Sequence, residues 1–159
     1  MNERFNPDLT PLQCLSLGVF EGRYLNNSMA EYPSDWSALA KLSDVPDEQI
    51  NLLKIKSRMS RHDWKANGWI RIDKRGYFEW WCKYSLGRHC VDDDWQISRW
   101  RSFARHRGQV LKGGHADPNH RRKQRQALLQ WGYDPFPDMQ TLSGESVYEK
   151  CIRISCLVR

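Results

Sequence analysis

Apolar residues along this chain recur mostly at helical spacing, in short runs punctuated by Gly, Pro and Asn. Thr10-Pro11 predicts a helix start, a hydroxyl cap followed by a proline whose missing N–H is harmless there; Leu12, Leu15 and Leu17 follow, and Gly18 limits the helix. Pro33-Ser34-Asp35 opens a second short helix through Leu42, with Trp36, Leu39 and Ala40 as its buried face. From Glu48, the residues Ile50, Leu52, Leu53 and Ile55 predict a helix to about Met59, although Ile50-Leu52 and Lys54-Lys56 also alternate like a strand. Ser60 is placed to cap a short helix Arg61–Ala66, which Asn67-Gly68 ends in a left-handed turn.

Ile70 and Ile72 alternate with charges ahead of Lys74-Arg75-Gly76, a pattern that suits a hairpin onto Tyr77–Trp81. Phe78, Trp81, Cys82 and Leu86, however, fall at i, i+3, i+4 and i+8 before Gly87, and this spacing favours a helix. Asp92-Asp93-Asp94 places negative charge at the start of the clearest helix, whose stripe of Ile97, Trp100, Phe103, Ala104 and Val110 runs to Gly113-Gly114. Asp117-Pro118 turns the chain, Asn119 is placed to cap a helix to Trp131, and Gly132 stops it. Val147–Val158 alternates unevenly and reads as a terminal strand or a docked extension. The fold class expected is therefore mainly α: one compact helical domain over residues 1–159, with a short hairpin or terminal strand as its β content.

Charge divides the chain further. Residues 1–50 hold three Lys and Arg against eight acids, residues 51–136 hold nineteen against eight, and the tail 137–159 balances. Solubility requires net charge but not its segregation, so the basic helical part is the expected contact surface. The sequence contains no run of eighteen apolar residues, and Met1–Asp8 lacks the pattern of a secretory signal. Five cysteines, an odd number without paired C-x-x-C spacing, argue against a disulfide framework. A soluble cytoplasmic protein without membrane contact or cofactor is expected.

Arg121, Arg122 and Lys123 open the helix expected to end at Trp131, where unpaired N–H groups already carry partial positive charge. An anion would relieve that repulsion, and phosphate is the obvious one. Together with Arg125 and with Arg99, Arg101, Arg105 and Arg107 of the preceding helix, these cations form the candidate phosphate or nucleic-acid surface. Trp81, Trp100 and Trp131 lie on apolar stripes and are expected in the core, whereas Tyr77 and Trp80 lie off the stripe and are the candidates to stack on a base.

Two other classes compete. His106, with Asp92 or Asp94 as its partner, would suit acid–base chemistry on a nucleotide or nucleic-acid base, although N-terminal capping explains the three aspartates without chemistry. Alternatively, the basic face would capture an acidic partner protein. His89, Cys90, Cys82 and His106 lack the spacing of a zinc site, and Gly18–Gly22 lacks the Lys-Ser/Thr ending of a phosphate loop.

The segments Asn67-Gly68-Trp69, Arg75-Gly76-Tyr77-Phe78-Glu79-Trp80-Trp81-Cys82-Lys83-Tyr84, Leu86-Gly87-Arg88 and Arg122-Lys123-Gln124-Arg125-Gln126-Ala127-Leu128-Leu129-Gln130-Trp131 resemble those of a family of small uncharacterised bacteriophage and microbial proteins. The likeness extends from Leu17 to Tyr133 and leaves the tail outside it. It implies a phage-encoded or mobile-element accessory protein, acting in the host cytoplasm, and brings no activity or functional residue with it.

Overall fold

A computed structural model describes residues 4–57, 61–113 and 115–159, and among these the chain is helical with no strand. Its α-helices are α1 (Pro11–Leu17), α2 (Ser34–Leu39), α3 (Arg61–Ala66), α4 (Tyr77–Ser85), α5 (Asp93–Phe103), α6 (Arg105–Gly113), α7 (Arg122–Gln130) and α8 (Val147–Ser155). Helix α1 lies centrally, against α2, α4 and α8, while α4 packs on α5 and α6 on α7. No helix of the described residues is long and apolar enough to cross a membrane.

The start of α1 follows its sequence signals. Thr10 accepts from the Gln13 N–H, the Gln13 side chain accepts from the Thr10 N–H, and Pro11 occupies the first helical position. The clearest sequence helix divides at Ala104 into α5 and α6, which splits its apolar stripe: Ile97, Trp100 and Phe103 lie on α5 and Val110 on α6. Residues 147–155 form a helix rather than a strand, capped by Ser146, with Cys151 and Ile154 completely buried. The hairpin alternative also gives way to helix, since Gly76 leads directly into α4.

The helix expected from Glu48 is a single 3-10 turn over Glu48–Ile50 followed by irregular chain; its expected end at Met59 and the Ser60 cap lie outside the described residues. Side-chain amides explain this departure. Asn51 accepts from the Glu21 N–H at 2.8 Å and donates to the Ile55 carbonyl at 2.8 Å, while Gln126 accepts from the Leu53 N–H at 3.0 Å. Backbone groups that a helix would have paired internally are thus satisfied across the fold, and Leu52 and Leu53 are buried.

One core runs from Phe5 to Val158, so the tail is integral to it. Phe5 sets its ring edge-on to Trp80, Tyr84 and Trp100 at 5.3, 5.4 and 5.0 Å, and Trp100 stacks on Tyr133 at 5.1 Å. Two buried acids are each shared by two cations: Asp73 by Arg88 and Lys83, and Glu79 by Arg75 and Lys83.

Candidate ligand-binding site

The eight tryptophans divide by role. Trp36, Trp80, Trp81 and Trp100 are buried in the core, whereas Trp64, Trp69, Trp95 and Trp131 are half-buried around a cavity of about 600 Å³. That volume lies within the range of small-molecule sites. Helix α3 supplies Trp64, the turn after it Trp69, the end of α7 Trp131, and one face of α5 supplies Trp95, Ser98, Arg99, Ser102 and Phe103. Arg105 and His106 continue that face onto α6, with Arg105 exposed at the rim.

The aromatic wall is ordered by stacking. Trp131 lies between Phe103, at 4.5 Å and 10°, and Tyr77, at 3.9 Å and 17°. Across the cavity, Trp64 packs over Gly76, where any Cβ would sit 3.3 Å from the indole; with φ at +87°, this position is suited to glycine on both counts.

Arg99 projects into this wall. Its guanidinium lies 4.7 Å from the Trp95 ring centroid, 5.3 Å from that of Trp131 and 5.6 Å from that of Trp69. Its hydrogen bond is to the neutral Gln96 Oε1 at 3.0 Å, and among the described residues it meets no carboxylate. Burial pushes its pKa down to about 10, partly countered by Tyr77, so the group remains charged at neutral pH. A cation held this way leaves donors available for an anion. Water is displaced on one side by aromatic faces, and no acid of the described residues competes.

The remaining sequence candidates separate. Tyr77 and Arg105 line the cavity with Arg99. Trp80 does not: it is completely buried and donates its indole N–H to Asp93 at 2.8 Å, because the helix turn that puts it off the apolar stripe faces α5 and not solvent. Arg125 is likewise no surface contact. It is buried, bonded to both oxygens of Asp138 at 2.7 and 2.8 Å and to the carbonyls of His120, Pro135 and Asp117.

Helix α7 begins at Arg122, preceded by Arg121 in the left-handed region at φ +60°, with no acid in its first turn. Asn119 therefore does not cap it. Its oxygen accepts instead from Arg122 at 2.6 Å and from the Arg159 N–H, and Arg122 also reaches the Leu53 carbonyl. The anion expected at this helix start is thus replaced in part by the protein's own oxygens. Arg101, Arg107, Arg121 and Lys123 are exposed, with Arg101 on the Arg4 carbonyl and Arg121 lying against Gly113.

His106 lines the cavity, its ring 4.2 Å from Phe103 and its Nδ1 3.2 Å from Gln109 Oε1. Its proposed acid partners are elsewhere. Asp92 is buried against Arg71 and the Ile72 N–H, and Asp94 pairs with Arg4. Helix α5 alone separates Asp94 from Phe103 by about 13 Å at the usual rise per residue. The His–Asp pair of the enzyme reading does not assemble.

Trp64, Trp69 and Phe103 were not legible as site residues, and Trp131 read as core. One signal was present: Trp95, Ser98, Arg99, Ser102, Phe103 and His106 repeat at i, i+3, i+4, i+7, i+8 and i+11, a second stripe beside the apolar one. Comparisons with protein-family models, curated proteins and solved structures find no match to this chain.

Proposed function

We propose that this protein binds nucleic acid or a phosphorylated ligand through the cavity between α5 and α7, taking a planar ring against the indole faces and its phosphate on Arg99. One observation carries the reading: a guanidinium without a carboxylate, held among three tryptophans in the wall of a cavity of about 600 Å³. A nucleotide combines the flat π surface and the negative charge that such a wall complements. The cavity is concave and aromatic, so an unpaired base or a free nucleotide fits it where a duplex does not. The setting implied by the sequence resemblance, a phage-encoded or mobile-element accessory protein, belongs to the same proposal.

Tryptophan fluorescence, titrated with nucleoside monophosphates and with short single- and double-stranded oligonucleotides, tests this directly. Mononucleotides and single strands should quench the signal saturably, with duplex weaker. Arg99→Gln should weaken binding by about tenfold or more, the usual effect of losing a charge-assisted hydrogen bond. Absence of binding by every nucleotide and oligonucleotide, or equal binding by Arg99→Gln, overturns the proposal.

A further inference from the structure

Gln130 stands in the cavity wall near the end of α7, only 8 % exposed. Its neighbours fix which way its amide points. The Leu53 N–H donates to Gln126 Oε1 at 3.0 Å, so Gln126 presents Nε2 on its other side, where it donates to the Gly18 carbonyl at 3.0 Å and to Gln130 Oε1 at 3.4 Å. The same Gln130 oxygen accepts from the Phe20 N–H at 3.5 Å and from Ser57 Oγ at 2.8 Å. Ser57 itself accepts from Asn51 Nδ2 at 2.9 Å, which leaves its hydroxyl proton for Gln130. Two N–H donors and a hydroxyl converge on one atom of the Gln130 amide, so that atom is the oxygen.

The other end, Nε2, is then a donor fixed by the relay behind it. It meets no acceptor among the described residues, and it is not one of the polar atoms sealed inside the protein without a partner. Gln130 lines the cavity, so a cavity ligand is an acceptor within this donor's reach.

We infer that Gln130 is a specificity-determining residue of this pocket, and that its Nε2 donates to the exocyclic oxygen at C4 of a bound pyrimidine or C6 of a bound purine. The inference rests on the nucleotide reading above. An oxo-substituted ring such as uracil, hypoxanthine or guanine satisfies the donor. A ring with an amino group at that position, as in cytosine or adenine, sets two donors face to face and leaves both unpaired where the protein covers them. The relay makes this discrimination firm, because the amide cannot rotate without leaving the Phe20 and Gln126 donors facing a third.

Two matched pairs of monophosphates test it by calorimetry or fluorescence: uridine against cytidine, and inosine against adenosine. In each pair the oxo member should bind the unaltered protein about tenfold or more tightly, the usual penalty for an unpaired buried donor. Gln130→Glu retains an oxygen for Ser57, Phe20 and Gln126 and replaces the donor by an acceptor, so the preference should reverse. An unaltered protein that shows no preference, or prefers the amino members, overturns the inference without any variant. So does a preference that survives unchanged in Gln130→Glu. If all four nucleotides bind equally and Arg99→Gln weakens all four, the nucleotide reading stands and this inference falls; if none binds, both fall.

Discussion

Arg99 and Trp95 sit one turn apart on α5, the guanidinium 4.7 Å from the indole centroid, and Arg71 approaches the same ring at 4.3 Å. The pairing keeps the Arg99 charge in the cavity wall without spending it on an internal acid. Among the described residues, Arg99 and Arg105 are the two arginines that line the cavity. For a single-stranded ligand, two phosphate contacts imply a slope of about −1.4 in log affinity against log salt concentration. Titration of a short oligonucleotide across several salt concentrations measures it. A slope several times steeper would assign binding to the exposed Arg101, Arg107 and Lys123 instead.

Trp131 and Trp80 make opposite predictions. Trp131 is half-buried in the cavity wall and holds the ring stack between Phe103 and Tyr77, so Trp131→Ala should disorder that wall and weaken nucleotide binding by about tenfold, in keeping with about 0.5–1.5 kcal/mol for each aromatic pair lost. Trp80 is buried, and its indole N–H is bonded to Asp93. Trp80→Phe should therefore leave nucleotide affinity unchanged while lowering stability by about 1–2 kcal/mol, read from urea unfolding. Loss of affinity in the Trp80 variant would return that residue to the site.

Local signals carried most of the fold and little of the site. The Thr10 cap, the i, i+3, i+4 stripe of α4 and the apolar stripe of α5 are short-range and legible, and each element forms where its pattern lies. The helix expected after Glu48 does not continue because the Ile55 carbonyl accepts from the Asn51 side chain and the Leu53 N–H donates to Gln126, 73 residues away. Arg125 shows the same blindness for function. In sequence it is one of a row of cations, but the loop ending at Asp138 folds back and removes it from the surface. Arg99 is the converse case, an arginine in an ordinary basic helix whose setting depends on Trp69 and Trp131 arriving from distant segments.

Gly18 ties the irregular segment after the 3-10 turn to the amide relay. Its carbonyl accepts from the Leu52 N–H and from Gln126 Nε2, both at 3.0 Å. With φ at +117°, a Cβ built there would lie 1.9 Å from the Ile50 carbonyl oxygen. Backbone cannot yield like the end of a flexible side chain, so Gly18→Ala should destabilise the fold by more than about 2 kcal/mol, through strain and displacement together. Thermal unfolding checks this, and a variant with unchanged midpoint would contradict the packing of this turn. In a variant that still folds, nucleotide discrimination should weaken as well, because the Gln126–Gln130 relay loses its anchor.

Asp138 and Arg125 give the fold an acid-sensitive joint. Burial by itself would raise the Asp138 pKa, but the hydrogen bonds and charge of Arg125 outweigh it and hold the carboxyl below its ordinary range. A carboxyl depressed in the folded state contributes stability that is present above its unfolded pKa of about 4 and is lost as pH falls through the folded value. Unfolding free energy should therefore decline as the solution is acidified below about pH 4, and Asp138→Asn should be less stable at neutral pH yet lose less on acidification. Asp93 and Glu145 are depressed too, so the difference between the protein and this variant, measured by urea unfolding at each pH, isolates the joint. Arg125→Met leaves Asp138 buried without its partner and should cost about 3–5 kcal/mol at neutral pH. That loss should shrink as acid protonates Asp138, because a neutral carboxyl no longer requires the guanidinium; a loss independent of pH would mean that Arg125 acts only through the carbonyls of His120, Pro135 and Asp117.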